Sequence, residues 1–176
     1  MPDGAPPSAS GAHVAPIQAA LLEDPLDFLA AEHARQTVLL GHLERVARDP
    51  QARAAKELAG ALLRWLTHEL PVHVADEERS LYPRLAAFDT TGVLDRLQDD
   101  HRRDQRLVAD VAAGLRRAAK SRAPGPGFTA AALEFAANHR AHPALEESAV
   151  TPLARHCLAP DAIASLAAEM AARRRH

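Results

Sequence analysis

Cysteine is nearly absent from this 176-residue chain, with Cys157 its single representative. One thiol excludes an internal disulfide and any cysteine-built zinc ribbon, and it fits a reducing compartment. Its simplest role is that of a small apolar core side chain. Aromatic residues make up only 3% of the sequence. Strand formers are scarce while Ala, Leu, Arg and Glu dominate, so an all-α protein is expected. Lys and Arg number 21 against 23 Asp and Glu, a formal charge of −2, which leaves no global basic field for a nucleic-acid backbone. No apolar run approaches the roughly 20 residues that cross a bilayer. Residues 1–16 are rich in Pro, Gly, Ala and Ser and lack the basic and apolar segments of a secretory leader. These absences lead to the expectation of a cytoplasmic protein with a disordered tail over 1–16 and neither nucleic acid nor membrane as partner.

What the chain does contain is a repeat. The segment His73 to Pro83 (HVADEERSLYP) returns at His142 to Pro152 (HPALEESAVTP) in one frame: His, three residues, Glu-Glu, two residues, an aliphatic, one residue, Pro. With ten His and eleven Glu present, about one HxxxE would arise by chance. A single copy would ordinarily be a surface ion pair, since residues four apart on a helix are neighbours. Two copies in register point instead to internal duplication. The repeat extends upstream, where Glu32-His33-Ala34-Arg35 resembles Asp100-His101-Arg102-Arg103. The offsets agree, 101 − 33 = 68 and 142 − 73 = 69. Each copy is therefore a helix bearing an acid and a histidine, followed by a helix bearing HxxxEE.

Start and stop signals then divide the chain. Asp24-Pro25 opens a first helix running to about Arg48, and Asp49-Pro50 gives a second start signal, with the helix continuing to about Phe88 and kinked at Pro71. Asp89 to Gly92 is a turn, a third helix follows from Val93, and Lys120 to Gly127 is a loop. Thr129 reads as the cap of a fourth helix reaching about His156, with Phe128 and Leu133 placed as a hydrophobic staple. Pro160-Asp161 starts a short amphipathic helix with Ile163, Leu166 and Met170 on one face, and Arg173 to Arg175 complement its C-terminus. Four long helices with short connections predict an up-down-up-down bundle over 17–158, with 159–176 as a helix packed on it. On a wheel of about 100° per residue, Leu62 and Leu66 share the face of His73, and Ala131 and Phe135 that of His142. Leu26 and Leu40 bracket His33, and Leu94 and Val108 bracket His101. All four histidines are thus expected to point inward.

Four imidazoles and two carboxylates in an apolar core would cost several kcal/mol per unpaired charge, on the order of the penalties for buried ions. Metal ions remove that cost. If Glu77 and Glu146 bridge two ions and each ion takes two of His33, His73, His101 and His142, each receives four protein donors. A bridging oxide or hydroxide adds a fifth and leaves a position for a small ligand. Imidazole and carboxylate without thiolate suit two iron ions, with manganese or zinc as alternatives.

In these motifs the chain resembles the bacterial hemerythrin-like proteins that carry the HHE cation-binding domain. The resemblance covers about Asp24 to Leu158 and rests on Pro25-Leu26-Asp27-Phe28 through His33, Glu69-Leu70-Pro71 through Asp76-Glu77-Glu78 to Tyr82-Pro83, and Glu146 to Arg155. It implies a non-haem di-iron site bound by His33, His73, Glu77, His101, His142 and Glu146 with bridging glutamates, and a small ligand such as oxygen, peroxide or nitric oxide, bound for sensing or detoxification. The alternative is a metal-dependent regulatory or iron-sensing module without turnover. Oxygen-carrying relatives use a further histidine one turn after the third-helix ligand, where this chain has Gln105, with Thr37 at the matching place on the first helix. Reversible oxygen carriage is accordingly not expected. Gln105, Glu69 and Thr37 are expected near the centre, contacting the ligands. Glu78 and Glu147 are expected to bond the ligands from outside or to lie on the surface. Pro143, directly after His142, predicts a kink or bulge there, with His139 as a substitute ligand should His142 be displaced. The oligomeric expectation is a monomer or weak dimer.

Overall fold

The computed structural model describes residues 15–18 and 23–175, so the expected tail over 1–16 lies outside the described residues except at its last two positions. The described residues form helices and turns and no strand. Helix α1, Pro25–Arg48, opens where Asp24 accepts hydrogen bonds from the Leu26 and Asp27 amides at 2.8 and 3.1 Å, with proline in the first turn. The next helix does not begin at Asp49-Pro50. Asp49 is still engaged as the C-cap of α1, its N–H on the Arg45 carbonyl, so 50–54 turn and α2 spans Ala55–Arg64.

Proline then shapes the chain in a repeated way. After α2 comes a π-helical turn, Trp65–Glu69, followed by α3, Leu70–Asp76; a second π turn, Glu77–Leu81, leads into α4, Tyr82–Leu85. A third, Glu146–Val150, separates α6, Phe128–Leu145, from α7, Thr151–Cys157. Each π turn ends two residues before a proline: Pro71, Pro83 and Pro152. A regular helix would force each ring against the preceding turn, and the wider i to i+5 turn relieves that clash. Pro143 behaves differently from the expectation. Helix α6 runs through it unbroken, and the widened turn begins only at Glu146, where it answers Pro152.

Helix α5, Val93–Ala118, is capped by Asp89, whose carboxylate accepts from the amides of Thr91, Gly92, Val93 and Leu94. Gly92 and Gly127 take positive φ at the entries to α5 and α6, where glycine avoids the Cβ penalty. Thr129 is not the cap of α6. It lies inside the first turn, and its hydroxyl donates to the Ala47 carbonyl at 3.0 Å, so it satisfies the end of α1 instead.

Helix α1 packs on α2 and α6, and α5 packs on the same two. Two apolar clusters fill the interior. One holds Leu40, Leu43, Leu62, Trp65, Leu115 and Phe135; the other holds Leu26, Phe28, Tyr82, Leu97, Val150 and Met170. On α1 the second cluster ends at Leu29 and the first resumes at Leu39, with His33 between. The same interruption falls at His101 on α5, at His73 and Glu77 after α2, and at His142 and Glu146 toward the end of α6. A polar layer thus crosses the molecule between two greasy ones. Helix α8, Pro160–Arg173, lies against α1, α3 and the Glu77–Leu81 turn, burying Leu166 and Met170 as its apolar face predicts, with Ile163 half-buried. No helix among the described residues is long and apolar enough to cross a membrane.

Candidate metal centre

All six ligands expected from the repeat are buried and meet in that polar layer. Glu77, wholly inaccessible to solvent, sits between two histidine pairs. Its Oε1 lies 2.8 Å from His73 Nε2 and 3.3 Å from His33 Nε2, while its Oε2 lies 3.2 Å from His101 Nε2. Within the pairs, the Nε2 atoms of His33 and His73 are 3.1 Å apart, as are those of His101 and His142. Glu146 points its Oε2 at His33 at 2.9 Å and lies 3.6 Å from His142, so it leans toward the first pair. Donor atoms from His33, His73, Glu77 and Glu146 form one compact group, and those from Glu77, His101 and His142 form another. Pro143 does not displace His142, and His139 is no substitute ligand.

Both ring nitrogens of His139 are otherwise engaged, Nδ1 with Asp104 Oδ2 and Nε2 with Gln36 Oε1, each at 2.7 Å. Asp104 and Gln36 follow His101 and His33 by three residues, and they replace the i+4 residues in the expected list. Gln105 is exposed and makes no contact of that kind, although it lines a cavity beside His101. Thr37 is exposed and donates only to the His33 carbonyl at 3.1 Å. Glu69 pairs with Arg35 and Arg64 at 2.7 and 3.3 Å, and lines a small cavity with His73. The i+4 expectation fails because the inward stripe of α1 and α5 leans to the i+3 side beyond the ligand.

Three further groups hold these candidate ligands from outside. Glu32 Oε2 takes His73 Nδ1 at 3.0 Å, and Glu78 Oε1 takes His101 Nδ1 at 2.9 Å, each leaving Nε2 directed at the centre. Glu147, the duplicate of Glu78, is exposed. Tyr82 donates its hydroxyl to Glu146 Oε1 at 2.5 Å and stacks on the His101 ring. Sequence offered no direct signal for Tyr82 beyond its place after the first HxxxEE. Lastly, Arg173 and Arg174 do more than complement the end of α8: they reach back to Asp76 and, from Arg174, to Glu32.

The electrostatics of the layer set neighbouring groups against one another. Burial works against the charged forms of His33, His73 and His101, but the surrounding carboxylates override it and raise all three, His33 to about 9. Burial, abetted by the neighbouring cationic imidazoles, lowers His142 to about 3. Glu77 is held well below the usual carboxylate range despite its burial, by the charge on His73 and the hydrogen bonds of its histidines. Burial and the charge on Glu77 raise Glu146. Glu77 Oε2 and Glu146 Oε2, although close to histidine nitrogens, have no aligned hydrogen bond. Separations near 3 Å between unaligned donors are those of neighbouring ligands about 2.1 Å from a shared ion. The donor set therefore fits cations.

A family model, the hemerythrin HHE cation-binding domain, matches residues 24–154. The chain belongs to that family. In this hemerythrin-family chain the match takes in all six buried donors and stops short of α8. No curated protein matches the chain.

Proposed function

We propose that this protein is a non-haem di-iron protein that binds or reacts with oxygen, peroxide or nitric oxide, for sensing or detoxification. The observation that carries the reading is Glu77, fully buried, with one oxygen toward His33 and His73 and the other toward His101. His33, His73, Glu77 and Glu146 would hold one ion, and His101, His142 and Glu77 the other. The contact ring of α1, α2, α5 and α6 supports an up-down-up-down four-helix bundle as the scaffold. Bound iron supplies exchangeable electrons and a Lewis-acid position for a small ligand.

The chain's own residues do the rest. Glu32 and Glu78 accept from the Nδ1 atoms of His73 and His101, which fixes ring orientation and keeps the Nε2 lone pairs inward. Tyr82 holds Glu146 through one oxygen and leaves the other for the centre. The apolar clusters above and below exclude water, which strengthens the attraction between carboxylate and cation. A cavity of about 210 Å³ lined by Leu66, Val74, Val108, His101, Asp104 and Gln105 supports an approach for ligand on the His101 side. Iron loading without oxygen, followed by exposure to oxygen, peroxide and nitric oxide in turn, tests the proposal. The expected result is a new visible spectrum with at least one of them; an unchanged spectrum with all three refutes it.

One observation favours the second reading, a metal-dependent regulatory or iron-sensing module without turnover. Helix α8 is tied to His73 through Arg174 and Glu32, so occupancy of the centre and docking of α8 are mechanically linked. That reading expects steady-state peroxide and nitric oxide assays to stop at about one equivalent, together with a large fall in melting temperature on iron removal.

A further inference from the structure

The duplication makes the two halves of the centre look equivalent, but their surroundings are not. Glu32 and Asp100 occupy matching positions before His33 and His101. Glu32 accepts from His73 Nδ1 at 3.0 Å, whereas Asp100 pairs with Arg103 at 3.0 Å. Each pair has one Nδ1 held, His73 by Glu32 and His101 by Glu78, and one with no hydrogen bond among the described residues, on His33 and His142, so the difference lies in what backs each glutamate. Glu78 holds His101 Nδ1 with its side chain 34% exposed, and its one described ion pair is to that histidine. The Glu32 side chain is 13% exposed, and Arg174 Nη2 binds the same Oε2 that His73 uses, at 3.1 Å.

Arg174 is itself pinned from several sides. Its Nη1 lies 2.6 Å from Asp76 Oδ2 and 3.0 Å from the Met170 carbonyl, and its guanidinium sits 4.6 Å over the Phe28 ring. Asp76 is fully buried, three residues after His73, and takes Arg173 Nη1 on its other oxygen at 2.7 Å. The guanidinium therefore bridges two carboxylates of separate helices in a way a point charge cannot, because its nitrogens form a rigid fork. Without it, the flexible Glu32 side chain would hold His73 with several rotamers open to it.

We infer that Arg174 is a positioning residue for the ion between His33 and His73: through Glu32 it locks the His73 ring, so the two ions are held unequally and the C-terminal helix sets the tighter hold. The inference rests on the di-iron reading, but the positioning residue itself, Arg174, lies outside the 24–154 family match. Loss of such an outer partner typically weakens metal binding by about 10- to 100-fold.

The test uses the full chain, loaded with iron(II) without oxygen, and follows ion release to an excess of chelator. Wild type is compared with Arg174→Ala, Arg174→Lys and Arg84→Ala, the last of which removes a different tie to α8, the ion pair with Glu169 at 2.7 Å. Wild type should release its ions in two phases. Arg174→Ala should speed the slower phase about tenfold or more and leave the faster one unchanged. Arg174→Lys should restore part of the difference, and Arg84→Ala should match wild type. Circular dichroism on each metal-free variant checks that the helices remain. Release of both ions in a single wild-type phase, an unchanged slow phase in Arg174→Ala, or an equal effect from Arg84→Ala overturns the inference while leaving the di-iron reading intact. A wild-type chain that takes up no iron overturns both.

Discussion

Replacing Tyr82 by Phe removes one oxygen from the middle of the molecule and little else. The ring keeps its volume, its place in the apolar cluster and its parallel stack on His101, whose centroid lies 6.3 Å away. What disappears is the 2.5 Å hydrogen bond to Glu146 Oε1, and with it a donor that favours the charged form of a carboxyl already raised by burial and by Glu77. A hydrogen bond to a charged group contributes about 1.5–3 kcal/mol. For a chain of this size that corresponds to a fall of roughly 3–12 °C in melting temperature. Iron in the centre would supply positive charge to Glu146 and make the lost bond matter less. Thermal unfolding of wild type and variant, metal-free and iron-loaded, therefore should show a larger penalty in the metal-free pair. A metal-free Tyr82→Phe protein as stable as wild type would refute the assignment of this bond. Equal penalties in the two states would refute the coupling of Glu146 to the metal.

Other consequences are equally open to measurement. A Cβ on Gly114 would lie 1.9 Å from Phe128 Cδ2, where α5 passes the start of α6. Overpacking of this kind costs about 1–3 kcal/mol. The better helix propensity of alanine returns up to about 1 kcal/mol of it, so Gly114→Ala should lower the urea midpoint. Asp89→Ala should cost about 0.5–2 kcal/mol through loss of the α5 cap. The hydrogen bond donated by the Leu94 amide, with those from Thr91 and Val93, lowers the Asp89 carboxyl from 3.8 to about 2, so its contribution is nearly complete above about pH 4. The gap between the two proteins should shrink as pH falls from about 4 through about 2, and a gap undiminished at pH 2 would count against the cap. His33 is raised from 6.5 to about 9 in the metal-free layer, so its ion pairs stabilise that form below pH 6.5 and are lost as pH climbs through about 9. Metal binding requires the neutral ring, so affinity should rise over the same range, and calorimetry near pH 7 in two buffers should detect proton release; uptake without proton release would contradict this.

Much of the centre was legible because a duplication turns weak signals into strong ones. His33 and His101 are isolated histidines until the shared offset places each beside its HxxxEE partner. The apolar face of α8 was equally plain from Ile163, Leu166 and Met170. Other features lay below what a helical wheel resolves. The wheel assumes about 100° per residue, and three π turns break that assumption. The resemblance to oxygen-carrying relatives singles out Gln105, and the duplication Thr37, one turn beyond His101 and His33, whereas the buried side chains there are Asp104 and Gln36, which bond His139. Pro143 suggested a break that α6 does not have, because the widened turn falls next to Pro152. Tyr82 and Arg174 act across helices at sequence separations of 64 and 142 residues, where periodicity carries no information.

The most direct measurement is iron per chain after loading without oxygen, for wild type beside His73→Ala and His101→Ala. A shared centre built around Glu77 predicts about two ions per wild-type chain and a clear loss from either substitution, since each removes a donor to an ion that shares that glutamate. Fewer than about one ion in wild type, or full loading in either variant, would contradict it.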